Sequence, residues 1–120
     1  MISNQKCEYG KLLTKLIKDK KMTQSDFYNK LGIKKPYFYD IIGGKINPPP
    51  PEIQLKILSI LKPKVKDRNS LLDIAALERK EIPADILLYF KKNETSLKEI
   101  RCSAKYKNII KREIEDKGEK

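Results

Sequence analysis

The stretch MTQSDFYNKLGIKKPYFYDIIGGK, residues 22–45, restricts the fold more than any other part of the chain. Thr23 is a good N-cap, because its hydroxyl can accept a hydrogen bond from a free backbone N–H of the first turn. Phe27 and Leu31 lie one helical turn apart and both point inward. Gly32 follows at the C′ position, where a left-handed backbone costs glycine least. A second short helix is expected over residues 35–42. Pro36 must lie in its first turn, where the missing N–H breaks no hydrogen bond. Phe38 and Ile41, with Ile42 beside them, form its buried side, and Gly43-Gly44 stops it. The pattern is two short helices around a glycine turn, and it needs a packed scaffold to hold it.

The flanking sequence reads as that scaffold. Tyr9, Leu12, Leu13, Leu16 and Ile17 recur at helical spacing and define one apolar face, with Lys11, Lys15 and Lys18 on the solvent side. The run Asp19-Lys20-Lys21 ends this helix. After Asn47, four prolines make a stiff connector into a fourth helix carrying Ile53, Ile57, Ile60 and Leu61, which ends before Pro63. The polar link at residues 63–66 is taken as the boundary between residues 1–62 and 63–120. Asp67 or Asn69 can cap a fifth helix over residues 70–79, with Leu71, Ile74, Ala75 and Leu77 for burial. Pro83 opens a sixth, and Asn93 suits its end. Ser96 with Glu99 has the form of a capping box for a last helical stretch. Its apolar positions slip phase near residues 103–105, which predicts a break there. The tail at residues 116–120 is expected to fray. No useful stretch alternates with strand period, so the expected class is all-α.

Charge bears on partners. The chain has 27 Lys and Arg against 16 acids, a formal net charge of +11. Residues 1–62 hold 12 Lys against 5 acids, leaving +7, so the excess sits mainly with the paired helices. A basic face of this kind releases counterions from phosphates and suits nucleic acid. There is no histidine, and Cys7 and Cys102 stand alone without metal-ligand spacing. No metal site, cofactor or catalytic constellation is expected, and no enzyme is implied. The N-terminus lacks an apolar signal core and no stretch is long enough to span a membrane, so the expected location is the cytoplasm.

Residues 9–61 resemble the lambda-repressor-like helix-turn-helix domain of phage repressors, Cro proteins and XRE-type regulators. The matching pieces are Thr23-Gln24, Leu31-Gly32-Ile33, Phe38 with Ile41, Gly44-Lys45 and Asn47-Pro48. Residues 73–88 are similar to a continuation found behind some such domains. The resemblance implies a helix-turn-helix bundle with additional C-terminal helices, double-stranded DNA as partner, and residues 35–42 as the recognition helix in the major groove. It implies phosphate contacts from Gln24, Lys34, Tyr37 and Lys45. It implies base-edge contacts from Lys35, Pro36, Tyr39 and Asp40; Lys35 can donate to guanine and Asp40 can accept from cytosine.

Four positions depart from the family pattern. Tyr28 replaces a small residue between the paired helices, which requires either a rotated helix or an exit to solvent. Lys34 replaces a Ser or Thr cap. Ile42 and Gly43 replace polar residues, and an exposed Ile42 would make an apolar patch for a partner.

Such regulators tend to dimerise, and a homodimer is expected here. Ile86, Tyr89, Phe90, Leu97, Ile100, Ile109, Ile110 and Ile114 are the candidate surface for a second copy or another protein. The leading expectation is a sequence-specific regulator, a phage-like repressor acting by promoter occupancy. The alternatives are the DNA-binding antitoxin of a toxin–antitoxin pair, and a protein-interaction module on the same fold, such as an inhibitor of host defence.

Overall fold

The computed structural model describes residues 2–115; for residues 2–7 and 94–96 it describes the helical backbone alone. The expected tail at residues 116–120 lies outside the described residues. Every regular element among the described residues is helical, and none of the helices is long and apolar enough to cross a membrane.

The order is α1 (Ile2–Asp19), α2 (Gln24–Leu31), α3 (Lys35–Ile42), α4 (Pro51–Leu61), α5 (Val65–Arg79), α6 (Ala84–Lys92), α7 (Glu94–Cys102) and α8 (Ala104–Ile110), with a π-helical turn over Lys111–Glu115. The chain forms two compact units, Met1–Asp85 and Ile86–Lys120.

In the first unit the local signals act as the sequence implies. The Thr23 hydroxyl accepts from the Asp26 amide at 3.0 Å and caps α2. Gly32 takes the left-handed backbone at φ 84° and turns the chain into α3. Lys34 occupies the α3 N-cap position without a side-chain hydrogen bond. Gly44, at φ 76°, ends the helix, and the Lys45 amide returns to the Asp40 carbonyl at 3.0 Å.

Phe38 is the hub of the paired helices. Its buried ring lies 5.9 Å from Phe27, 5.4 Å from Tyr28 and 5.2 Å from Tyr39, centroid to centroid, all tilted or edge-on. Tyr28 therefore does not leave for solvent; it is half-buried against Phe38. Tyr9, Leu13, Leu16 and Ile17 of α1 complete this core with Ile57 and Leu61 of α4. The prolines are not a loose spacer: Pro48 and Pro49 are buried, and the buried Gln54 side chain donates to the Pro49 carbonyl at 2.8 Å.

Gly10 sets how closely α1 and α3 approach. A Cβ built there would fall 2.0 Å from the Ile42 carbonyl oxygen. Ile42 is accordingly half-buried against the core, beside Phe38 and Ile41, and does not form the alternative exposed patch.

Three boundaries differ from expectation. Helix α5 starts at Val65, five residues before the expected start, so neither Asp67 nor Asn69 caps it. It packs on α1 and places Leu71 and Ala75 in the first unit's core. The compact unit therefore runs to Asp85, where the expected boundary was residue 62. Helix α5 also turns Leu72 inward and Leu77 outward, because its buried stripe follows Leu71, Leu72, Ala75 and Ala76. Helix α7 begins at Glu94, which puts Ser96 inside the first turn.

In the second unit the expected break is present at Ser103. Its hydroxyl accepts from the Tyr106 amide at 3.1 Å and donates to the Ile100 carbonyl at 2.8 Å, closing α7 and opening α8.

Candidate nucleic-acid interface

With Phe38 and Ile41 fixed inward, helical geometry dictates what α3 offers to solvent. Lys35, Pro36 and Tyr39 are exposed, and Asp40 is half-buried at the margin of the same stripe. Pro36 lies in the first turn, where it breaks no helical bond. The flanking Lys34 and Lys45 are also exposed. No carboxylate lies within ion-pair distance of Lys34, Lys35 or Lys45 among the described residues. These cations are thus available to an external anion.

Gln24 begins α2 directly after the Thr23 cap. The Tyr39 hydroxyl donates to the Gln24 side-chain oxygen at 3.1 Å. This bond joins the outer face of α3 to the N-terminus of α2. It occupies the acceptor end of the Gln24 amide and leaves the two N–H donors for another group. Tyr39, a base-edge candidate, therefore also has an intramolecular partner.

Tyr37 does not join this group. It is half-buried against the core. Burial pushes the Tyr9 phenol well above its ordinary pKa, with Tyr37 adding to the effect. No hydrogen-bond partner for the Tyr9 hydroxyl is found among the described residues.

Sequence reasoning missed Lys18 and Lys21. Both line a depression with Thr14, Ile17, Met22, Thr23 and Gln24, beside the start of α2. Lys18 read as an ordinary solvent-side residue and Lys21 as part of a helix stop. Lys21 has φ 58° and its amide donates to the Lys18 carbonyl at 2.8 Å, which folds the basic pair back toward Gln24. No spacing rule on one helix gives that juxtaposition.

Arg79 braces the site from behind. Its guanidinium donates to the Pro48 carbonyl at 3.0 Å, and to both Glu81 carboxylate oxygens at 2.9 and 3.1 Å. The hydrogen bond from Arg79 holds the Glu81 carboxyl below its usual range. The connector that follows Lys45 is thereby tied to the end of α5.

The C-terminal candidates form a different kind of surface. Ile86, Tyr89, Leu97, Ile100, Ile109 and Ile114 are exposed, and Phe90 and Ile110 are half-buried. Among second-unit residues whose burial is described, none is buried. Cys102 is free and exposed.

Comparison of the chain with protein-family models, curated proteins and solved structures gave no match.

Proposed function

We propose that the chain is a sequence-specific DNA-binding regulator on a lambda-repressor-like helix-turn-helix scaffold, acting in the cytoplasm by occupying a promoter and excluding polymerase. The observation that carries this reading is the solvent-facing side of α3, framed by three lysines without an ion-pair partner among the described residues and joined through Tyr39 to Gln24. In this reading α3 enters the major groove. Lys35 and Tyr39 meet base edges or thymine methyls, and Asp40 meets a cytosine amine. Lys34, Lys45 and the Gln24 amide hold phosphates, with Lys18 and Lys21 extending that contact line. The Arg79 tie to Pro48 keeps Lys45 in register with the groove.

Salt and sequence dependence separate these roles. Lys45→Ala is expected to weaken binding to every duplex and to lower the salt slope by about one. Lys35→Ala is expected to relax preference at one base pair, at a cost of about 1–3 kcal/mol there. Both are measured by titrating labelled duplexes over a range of salt. If both variants bind random duplex as the parent does, α3 is not a DNA reader.

The second unit favours an added role in binding a protein, because its apolar residues are uncovered. That feature fits the antitoxin and interaction-module readings as well. Tyr28 and Ile42 no longer argue for them, since core packing accounts for both.

A further inference from the structure

The ends of α1 and α4 and the link into α5 border a depression of about 270 Å³. The local sequence builds it. Helix α4 stops at Lys62, whose backbone is left-handed at φ 46°, and Pro63 cannot continue the helix. Lys64 is extended and α5 starts at Val65. The chain thus reverses around Pro63, and α5 packs back on α1. Lys62 and Lys64 come to line the same depression as Lys15 and Lys20 from the end of α1. The buried Leu16 and Leu61 give it an apolar side.

The charges do not balance. Lys15 lies 3.2 Å from the Asp19 carboxylate, an exposed pair that largely cancels itself. Lys20, Lys62 and Lys64 have no ion-pair partner among the described residues. Asp67 is the remaining carboxylate among the lining residues, so three ammonium groups are set against one acid.

We propose that this depression binds the phosphate oxygens of a small phosphorylated compound. A single carboxylate would engage one of the three ammonium groups. A phosphate monoester or pyrophosphate carries at least two charges and several acceptor oxygens, enough to meet all three. The concave shape and a volume just below the roughly 300 Å³ at which small-molecule sites begin suit a compact ligand. Flanking DNA could offer the same phosphate chemistry, but the geometry favours the free compound. By helical spacing Lys15 and Asp19 lie on the side of α1 opposite Ile17 and Lys18. Lys18 and Lys21 line the separate depression beside Gln24, where the phosphates of a duplex are expected. The inference does not rest on α3 reading DNA.

Isothermal titration of the full chain with inorganic pyrophosphate, without DNA and at fixed ionic strength, tests it. Fixing the ionic strength is needed because a chain of net charge +11 attracts any anion. The parent is expected to bind one equivalent. Two substitutions remove a cation while suiting the backbone. Lys62→Gly places glycine where the left-handed conformation costs least, and Lys64→Ser supplies the side-chain cap that α5 lacks. Each is expected to weaken pyrophosphate binding by about fivefold, with a melting temperature no lower than the parent's in the absence of ligand. Lys107→Ala, in the second unit, is expected to bind as the parent does. A parent that binds no pyrophosphate overturns the proposal, as do Lys62→Gly and Lys64→Ser variants that bind it as tightly as the parent. So does an equal loss in Lys107→Ala, which would reduce the effect to net charge. Variants that lose affinity for a duplex, from a parent that ignores pyrophosphate, would give these lysines to flanking DNA and overturn it as well.

Discussion

The two units of this chain use similar residues for opposite ends. The first takes Tyr9, Phe27, Phe38 and Ile57 almost wholly out of water around one centre. The second has isoleucines at similar frequency, yet Ile100, Ile109 and Ile114 stay 42%, 44% and 61% exposed. Helical spacing is regular in both. The difference lies in what each apolar stripe meets: in the first unit α1 touches α2, α3 and α5, so three helices share its face. In the second the helices follow one another with short breaks and bury none of the residues whose burial is described. Helix formation and core formation are thus separate achievements, and most helical stability comes from the second.

Substitution at Phe38 sharpens that contrast most. Phe38→Ala removes the ring that Phe27, Tyr28 and Tyr39 share, and is expected to cost about 3–5 kcal/mol. Ile109→Ala is expected to change stability by under about 0.5 kcal/mol. Urea titration of both variants is the check; comparable losses would mean that the second unit has a core of its own.

Gly10 comes next. Gly10→Ala places a methyl into the Ile42 backbone and is expected to cost about 1–3 kcal/mol by overpacking. Because α3 must move to admit it, DNA affinity should fall at temperatures where the variant is still folded. A melting temperature equal to the parent's would show that the α1–α3 approach is looser than described.

These two residues also mark what the sequence discloses. Phe38 was legible because its partners lie within residues 22–45, where a cap, a turn glycine and helical spacing are local signals. The N-cap hydroxyl of Thr23 and the left-handed Gly32 were legible for the same reason. Gly10 was not, because its role depends on a helix some thirty residues away. Leu77 was misplaced for a related reason: α5 carries apolar residues on more than one side, and only contact with α1 decides which side is inside. The Arg79 tie to Pro48 and the Tyr39–Gln24 bond join separate elements, and no periodicity announces them.

The smallest effect probes an imperfection in the better-packed unit. Tyr9→Phe removes a buried hydroxyl without a hydrogen-bond partner among the described residues, and is expected to add about 1 kcal/mol. The pH dependence has a definite sign. Tyr9 has a raised pKa when folded, so its contribution is complete below the unfolded value of about 10. As pH rises past that value the unfolded chain gives up the phenol proton while the folded one retains it, and stability falls. Melting curves from pH 8 to 11 should therefore decline more steeply for the parent than for Tyr9→Phe. Parallel declines would show that the Tyr9 hydroxyl is solvated.

The central claim is that the outer side of α3 reads a base sequence. Selection from a random duplex library with the full chain tests it most directly. The account predicts enrichment of a defined motif that Lys35→Ala degrades at one position, arranged as an inverted repeat if two copies bind together. A parent chain that enriches no sequence over many rounds would contradict it.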